Sequence, residues 1–286
     1  MQYWAIQTLN SLSLGGLLFL LAAGFSLIFG LMRIANLTHG ALFMLGAYIG
    51  ASILKVIPNL WVATLLGGMT VAAFGGLVER FILRKLAGNV LVQVLVTLGI
   101  AFMIADFCLV VWGGDPIPIA TPELLQRPVR VAGLAFPAYR LAVVVLAVLV
   151  GLFLYVFIEK TRLGAMIRAG VDDMEMARAV GIPVSRLFTT VFCLGAALAG
   201  AGGIIGGPIM SAYPGLDADM LPLALIVVIL GGVGSLAGAF VGSFVTGFVY
   251  TFGVALLPDL AYVILFLPMI LVIAFRPRGL FCRVAA

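Results

Sequence analysis

The stretch that decides the fold lies near the start of the chain, where residues 12–32 read LSLGGLLFLLAAGFSLIFGLM. No residue from position 1 to position 32 carries a charge. A helix needs about 20 predominantly apolar residues to cross the hydrocarbon core of a membrane. This stretch is long enough to do so, and it therefore predicts a transmembrane helix.

The composition extends this prediction to the whole chain. The protein has 286 residues, of which 64% are hydrophobic and 9% are charged. Soluble domains carry about 45–50% apolar and about 25% charged residues, so these charges are too few to cover a soluble surface. The chain is also too apolar to remain disordered. We predict an all-α, polytopic integral membrane protein in which residues 1–286 form a single transmembrane domain of about eight to ten helices.

Apolar runs along the chain predict where the spans lie. Nine runs qualify, at residues 12–32, 38–56, 61–78, 90–112, 141–157, 187–206, 220–230, 235–257 and 260–275. The run at 220–230 is short and bounded by glycine, which leaves room for a broken or re-entrant helix. A proline-rich stretch at 113–140 separates two spans, and within it residues 129–131 and 134–136 are expected to form a small hairpin.

The distribution of basic residues orients the chain. The net charge is +5, but the basic residues form no stripe of the kind that binds nucleic acid, so we expect no nucleic-acid partner. They lie in the gaps between apolar runs, for example at residues 79–85, which we predict to be a water-facing loop. With the N-terminus outside, twelve of the 16 Lys and Arg residues face inward, namely Arg33, Arg80, Arg84, Lys85, Lys160, Arg162, Arg168, Arg178, Arg186, Arg276, Arg278 and Arg283. The positive-inside rule then predicts a cytoplasmic C-terminus, a cytoplasmic loop at 159–186 and an extracytoplasmic loop at 113–140.

Motifs for catalysis are missing from the sequence. The chain has one histidine, His39, and no HExxH or GxxxxGK[ST] motif. Its three cysteines show no metal-binding spacing. The predicted spans also lack the series of carboxylates and histidines expected of a proton-driven pump. We therefore expect no catalytic residue, no metal site, no cofactor bound by this chain and no ATP hydrolysis by a loop of its own.

A polar interruption near the start is the first candidate for function. Residues 33–40, RIANLTHG, place four polar residues between two apolar runs. A plain loop in which Thr38 caps the next helix explains them, and so does a polar, partly unwound mouth of a pore. Asp106 is the one acid that we place inside a span, either satisfied near the interface or acting along a pathway. The candidate substrate-pathway residues are Asn36, His39, Tyr48, Thr97 and Asp106.

Glycines recur at helical spacing in the C-terminal half. Gly234, Gly238 and Gly242 lie on one helix face, where small residues let helix backbones approach each other closely. The alternative is that the run from Gly231 through Gly232 to Gly234 breaks a helix at membrane depth, as in transporters whose broken helices line a cavity.

The cytoplasmic loop contains a short helix with clear start and stop signals. Residues 172–183 read DDMEMARAVGIP. Asp172 is predicted to cap the helix and Glu175 to complete a capping box. Arg178 suits the last turn, Gly181 suits the C′ position, and the following proline blocks continuation. A helix this short is marginal alone, so it docks either on its own bundle or on a partner subunit.

Four motifs give the chain a family resemblance over nearly its whole length. They are NLTHGALFMLGAY at 36–48, RAGVDDMEMARAVGI at 168–182, LGAALAGAGGIIGG at 194–207 and LGGVGSLAGAFVG at 230–242. The sequence resembles the LivH-type permease subunits of branched-chain amino acid ABC transporters, which reside in the bacterial inner membrane. The resemblance implies a second LivM-like permease subunit, two cytoplasmic ATP-binding subunits that carry the ATP and Mg, and an extracytoplasmic solute-binding protein.

The same resemblance assigns a role to the cytoplasmic loop. In such proteins the loop that matches residues 164–181 contacts an ATPase. The residues that we expect to couple this chain to its ATPase are Arg168, Asp172, Glu175, Ala177, Arg178 and Gly181. Substrate identity does not follow, because family members also import urea and short amides. The rival function is a self-sufficient channel or secondary carrier for a small polar solute.

Overall fold

The computed structural model describes residues 2–33, 35–131, 134–276 and 279–281. Two of the arginines that we count as cytoplasmic, Arg278 and Arg283, lie outside these residues. In chain order the elements are α1 (Gln2–Met32), α2 (Thr38–Val56), α3 (Leu60–Phe81), α4 (Val90–Trp112), β1 (Pro128–Val131), β2 (Leu134–Pro137), α5 (Ala138–Lys160), α6 (Arg162–Asp172), α7 (Met174–Ala179), α8 (Val184–Met210), α9 (Leu216–Gly231), α10 (Leu236–Leu256) and α11 (Ala261–Phe275).

The predicted all-α membrane architecture is confirmed. In the described part of the chain, seven helices are long and apolar enough to cross a membrane, namely α1, α2, α3, α4, α5, α8 and α10. The runs predicted at 220–230 and 260–275 form α9 and α11, which have 16 and 15 residues. Both are shorter than the roughly 20 residues of a simple span. The predicted hairpin is present, and β1 pairs with β2 in antiparallel register.

Helix α1 forms the centre of the bundle. It begins ten residues before the predicted span, at Gln2 rather than at position 12. Hydroxyl groups in its first turns are satisfied within the helix, since Oγ of Ser11 donates to the carbonyl of Gln7 four residues earlier. From position 17 onward almost every residue is buried, against α5, α8, α9 and α10. This burial on all sides explains why the stretch carries no charge.

Helix α8 packs against α1, α2 and α3 through glycines. A Cβ added to Gly24 of α1 would lie 2.6 Å from the carbonyl oxygen of Gly195 in α8. A Cβ on Gly46 of α2 would likewise collide with the backbone of Gly200. Because glycine has no side chain, the backbones of these helices are in close contact. Such packing is a main source of attraction between helices in a membrane. Helix α8 therefore joins α1 and α2 through close glycine contacts.

The two ends of the bundle differ. At the end that we call the basic end, α1 and α3 terminate, α6 and α7 pack against the ends of the long helices, and α8 begins. Arg33 at the end of α1 reaches the carbonyl of Val171 in α6 there. At the opposite end, which we call the hairpin end, Arg140 of α5 bonds to Asn10 of α1. The basic end carries the residues predicted to face the cytoplasm.

Candidate functional site

The polar interruption at residues 33–40 is an unwound segment inside the bundle. Helix α1 ends at Met32, and Arg33 follows with a positive φ of 54°. The chain then turns back along α1, because Nε2 of His39 lies 3.0 Å from the carbonyl oxygen of Leu21. Leu21 precedes the end of α1 by about 16 Å of helix. Helix α2 therefore begins within the bundle and not at its basic end.

Buried hydrogen bonds tie this segment to α4. The amide of Leu37 donates to Oγ1 of Thr97 at 3.2 Å, and Oγ1 of Thr38 donates to the Thr97 carbonyl at 2.9 Å. Oδ1 of Asn36 accepts from the amide of Thr38 at 3.2 Å, whereas the residue at the N-cap position of α2, Leu37, provides no side-chain cap. Thr38, which the simple loop interpretation makes the cap, is instead the first residue of the helix.

A small cavity lies beside these bonds, lined in part by Asn36, Gln93 and Thr97. Its volume is about 10 Å³, which is about the space that one water molecule needs. Nδ2 of Asn36 and Oε1 of Gln93 are buried and have no hydrogen-bond partner within the described residues. One is a donor and the other an acceptor, and each is a buried polar group left unpaired.

The structure divides the five candidate pathway residues into three places. Asn36, Thr97 and His39 are buried together, and the amide of His39 donates to the Asn36 carbonyl at 3.1 Å. Tyr48 is also buried but lies toward the hairpin end, where its ring stacks on Trp112 with centroids 5.2 Å apart. Asp106 is exposed on the outward face of α4. These five residues therefore do not line one common cavity within this chain.

A buried ion pair links α3 to the start of α8. Glu79 is fully buried, and its Oε2 lies 2.9 Å from Nη2 of Arg84. The same carboxylate accepts from the hydroxyl of Thr189 at 2.7 Å, and Arg84 also donates to the carbonyl of Ser185 at 2.8 Å. We call Glu79, Arg84, Ser185 and Thr189 the latch. A buried carboxylate requires such partners, because an unpaired buried charge is strongly destabilising.

The latch corrects two predictions. Residues 79–85 do not form a water-facing loop at Glu79, because α3 continues to Phe81 and turns this side chain inward. For the same reason Asp106 is not the only acid inside a span. Hydropathy alone did not predict the latch, because a single acid at the end of a span lowers the mean hydropathy of that span only slightly. The available signal was an acid in the last helical turn with an arginine five residues later.

Beyond the latch, the loop at 159–186 forms two helices where one was predicted. The additional helix, α6, is capped by Thr161, whose hydroxyl accepts from the amide of Gly164 at 3.0 Å. Arg168 pairs with Glu159 at 3.5 Å and also donates to the carbonyl of Ile158. These bonds hold α6 against the end of α5 at the basic end.

The short helix α7 is capped by a different residue from the one predicted. Asp172 is the last residue of α6, and the side chain of Asp173 accepts from the amides of Glu175 and Met176 at 2.9 and 3.0 Å. The predicted cap at Asp172 and its capping box with Glu175 are therefore wrong. Two adjacent aspartates satisfy the same sequence pattern, and the end of α6 selects the second one.

The predicted end of α7 is confirmed. Gly181 has a positive φ of 86°. Its amide donates to the carbonyl of Arg178, and the amide of Ile182 donates to the carbonyl of Ala177, both at 3.0 Å. These two bonds are those of a Schellman motif, which satisfies the last carbonyls of a helix.

Helix α7 leaves an apolar surface uncovered. Ala177 is its buried residue and faces the contacts with α6 and α8. Met176 and the following Val180 are 60% and 68% exposed. Asp172, Glu175 and Arg178 are exposed beside them. The helix is therefore anchored on its own bundle by one side and presents two apolar side chains within a charged rim on the other.

The glycine run interrupts the chain between α9 and α10. Gly232 and Gly234 have φ values of 101° and 77°, and α9 ends at Gly231. The break lies at the basic end rather than at mid-membrane depth, because a Cβ on Gly30 would lie 2.5 Å from Cα of Gly234. Gly238 packs on the backbone of Gly231.

Gly242 extends the same close packing, since a Cβ there would lie 2.8 Å from the carbonyl of Val227. The amides of Leu280 and Phe281 donate to the carbonyls of Leu230 and Gly231 at the end of α9. The glycine run thus turns the chain and brings the C-terminal segment to the basic end.

Comparison with known proteins identifies the family. Residues 7–273 match the family model described as branched-chain amino acid transport system / permease component. The chain belongs to this family. A high-affinity branched-chain amino acid transport system permease protein, BraD of Pseudomonas aeruginosa, is 28% identical over 97% of this chain and 95% of its own length.

Two further relatives agree with this assignment. The permease protein LivH of Escherichia coli K12 is 26% identical over 98% of this chain and 96% of its own length. A probable branched-chain amino acid transport permease protein LivH of Methanocaldococcus jannaschii is 26% identical over 81% and 75%. No solved structure matches the chain.

Membership of the permease family fixes the general role. The chain is a multi-pass protein of the bacterial inner membrane and a transport permease component, which is not itself catalytic. The resemblance seen in the four sequence motifs is confirmed over nearly the full length.

Proposed function

We propose that this chain forms one half of the translocation pathway of an ATP-driven importer for branched-chain or related amino acids. The relatives BraD and LivH carry names of high-affinity branched-chain amino acid permeases, which supports the substrate class. The other components would be a second LivM-like permease subunit, two ATP-binding subunits that bind ATP and Mg, and an extracytoplasmic solute-binding protein. The energy of ATP hydrolysis would reach this chain through α7.

The observation that carries the proposal is the surface of α7. This helix has six residues, which is far below the length that is stable alone in water. It is nevertheless fully capped at both ends, and it exposes Met176 and Val180 to solvent. Exposed apolar side chains within a charged rim are typical of a protein interface. An ATP-binding subunit would cover them.

A series of contacts leads from α7 to the unwound segment. Ser185 and Thr189 follow α7 and belong to the latch, where the Ser185 carbonyl accepts from Arg84 and the Thr189 hydroxyl donates to Glu79. The carbonyl of Leu83, next to Arg84, accepts from Nε2 of Gln93 at 2.9 Å. One turn further along α4, Thr97 binds the backbone at the start of α2. We propose that displacement of α7 is transmitted along this series, in which hydrogen bonds alternate with stretches of continuous backbone.

The experiment is to replace the exposed apolar residues of α7 by acids and to purify the transporter. Met176→Glu and Val180→Glu should reduce the amount of ATP-binding subunit that co-purifies, because each places a charge in an apolar contact. Leu124→Glu is the matched control, since Leu124 is 93% exposed but lies in the 113–140 loop. Full retention of the ATP-binding subunit by both α7 variants would contradict the proposed docking site.

A further inference from the structure

The outward face of α4 carries a carboxylate that has no partner. Asp106 is exposed, and it makes no hydrogen bond or ion pair with any described residue of this chain. It lies about 9 Å of helix before Trp112, and so within the apolar span Val90–Trp112. Its neighbours on the same face are apolar and highly exposed, with Met103 at 71% and Val110 at 84%.

Lipid is a poor environment for this residue. A charged side chain costs about 2.5–3.5 kcal/mol at the centre of a transmembrane helix and less toward its ends, and at any depth hydrocarbon offers no hydrogen-bond donor. An aspartate is also too short to reach the interface as lysine or arginine does. The exposed faces of α3 and α5 are uniformly uncharged, because between their end turns these helices carry no acidic or basic residue. The exposed face of α4 therefore differs from those of α3 and α5 because it carries a charged residue.

A second feature of the same face points to a packed helix. Gly99 lies seven residues before Asp106, which places it two turns away on the same side of α4. A Cβ built on Gly99 would meet nothing within 4 Å, so no part of this chain requires a glycine there. An exposed glycine lets another helix approach closely in the membrane. Within its own chain α4 packs mainly on α2, and its other side is open.

We propose that the face of α4 formed by Gly99, Met103, Asp106 and Val110 is the contact surface for the second, non-identical permease subunit. Asp106 meets a hydrogen-bond donor or a cationic group of that subunit. A second copy of this chain fits less well, because a two-fold contact would bring the same patch of both copies together and oppose one Asp106 to the other. The assignment rests on the proposed function, since it requires a permease made of two different halves.

Photo-cross-linking tests the surface directly. A photoreactive amino acid is placed at Met103 or Val110 in the chain expressed together with the other subunits of its transporter. Matched controls carry it at Leu65 of α3 and Leu149 of α5, which are 65% and 57% exposed. We expect a cross-link to the second permease subunit from the two α4 positions and none from the controls. A cross-link to another copy of this chain, or no protein cross-link from α4, would overturn the proposal.

A charge reversal tests the role of the carboxylate. Asp106→Lys should reduce co-purification of the second subunit by about tenfold or more, as expected for the loss of a favourable contact and its replacement by repulsion. Asp115→Lys, in the loop after α4, should have no effect, and equal yields from the two variants would contradict the pairing.

ATP-driven uptake is measured in the same wild-type preparation. A complex that transports without the α4 cross-link contradicts only the surface, and one that cross-links without transport contradicts only the proposed function.

Discussion

Single side chains decide how the basic end is held together, and the latch is the clearest case. Arg84 is partly exposed, whereas Glu79 is fully buried. Removing the arginine leaves the buried carboxylate with only Thr189 as a side-chain partner, whereas removing the carboxylate leaves an arginine that still reaches solvent and the Ser185 carbonyl. The two halves of the pair are therefore not equivalent.

This asymmetry gives a prediction for stability. Arg84→Leu should destabilise the protein because it leaves a buried charge behind, but by less than the about 3–5 kcal/mol of a fully buried ion pair, since Arg84 is 32% exposed. Glu79→Gln should cost less, and the double variant Arg84→Leu with Glu79→Leu should recover much of the loss. Thermal unfolding of the purified protein in detergent measures all three. The prediction fails if the double variant is less stable than Arg84→Leu alone.

The two adjacent aspartates before α7 give a second prediction at this scale. Asp173→Ala should weaken α7 by about 0.5–2 kcal/mol, because the cap bonds to the amides of Glu175 and Met176 are lost. Asp172→Ala serves as the control and should leave α7 unchanged. Hydrogen exchange at those two amides, followed by mass spectrometry, reports the local stability. Faster exchange in the Asp172 variant than in the Asp173 variant would contradict the assigned cap.

At the scale of elements, the unwound segment and α4 are held together by Thr97. Thr97→Val keeps the shape of the side chain but leaves the partly buried amide of Leu37 without its acceptor, which costs about 1 kcal/mol. We expect substrate uptake by the assembled transporter to fall more than ATP hydrolysis does. Thr70→Val on the exposed face of α3 is the control, since its hydroxyl bonds only to the carbonyl of Leu66. Equal, unchanged activities in both variants would exclude a role for this contact.

The sequence predicted elements well where local rules suffice. Apolar runs located the seven long helices, and the turn chemistry of Gly181 located the end of α7. The sequence-based prediction was wrong where contacts between distant parts of the chain determine which residue caps a helix or where a side chain points. Nothing local distinguishes Asp172 from Asp173, and nothing local shows that Glu79 turns toward Thr189 of a distant helix. The division of Asn36, Tyr48 and Asp106 into separate places also depends on how helices pack, which hydropathy does not describe.

At the scale of the whole molecule, the orientation in the membrane is a prediction from charge. Twelve of the 16 basic residues belong to loops predicted to be cytoplasmic. In a cysteine-free background, a cysteine at Arg80 should react with a membrane-impermeant reagent only from the cytoplasmic side, and one at Glu123 only from outside. Both positions are exposed, unlike Glu79. Labelling of position 80 in intact cells would reverse the assigned orientation.

The central claim concerns the whole transporter. It is that ATP hydrolysis on partner subunits drives transport through this permease and that α7 transmits the effect. Uptake of labelled leucine is measured in proteoliposomes that contain either this chain alone or the chain with the second permease subunit, the ATP-binding subunits and the solute-binding protein. The account predicts ATP-dependent uptake by the complete complex, loss of that uptake in the Val180→Glu complex, and no uptake driven by ATP, sodium or a proton gradient with the chain alone. Gradient-driven accumulation of leucine by the isolated chain would contradict the account and identify it as a secondary carrier.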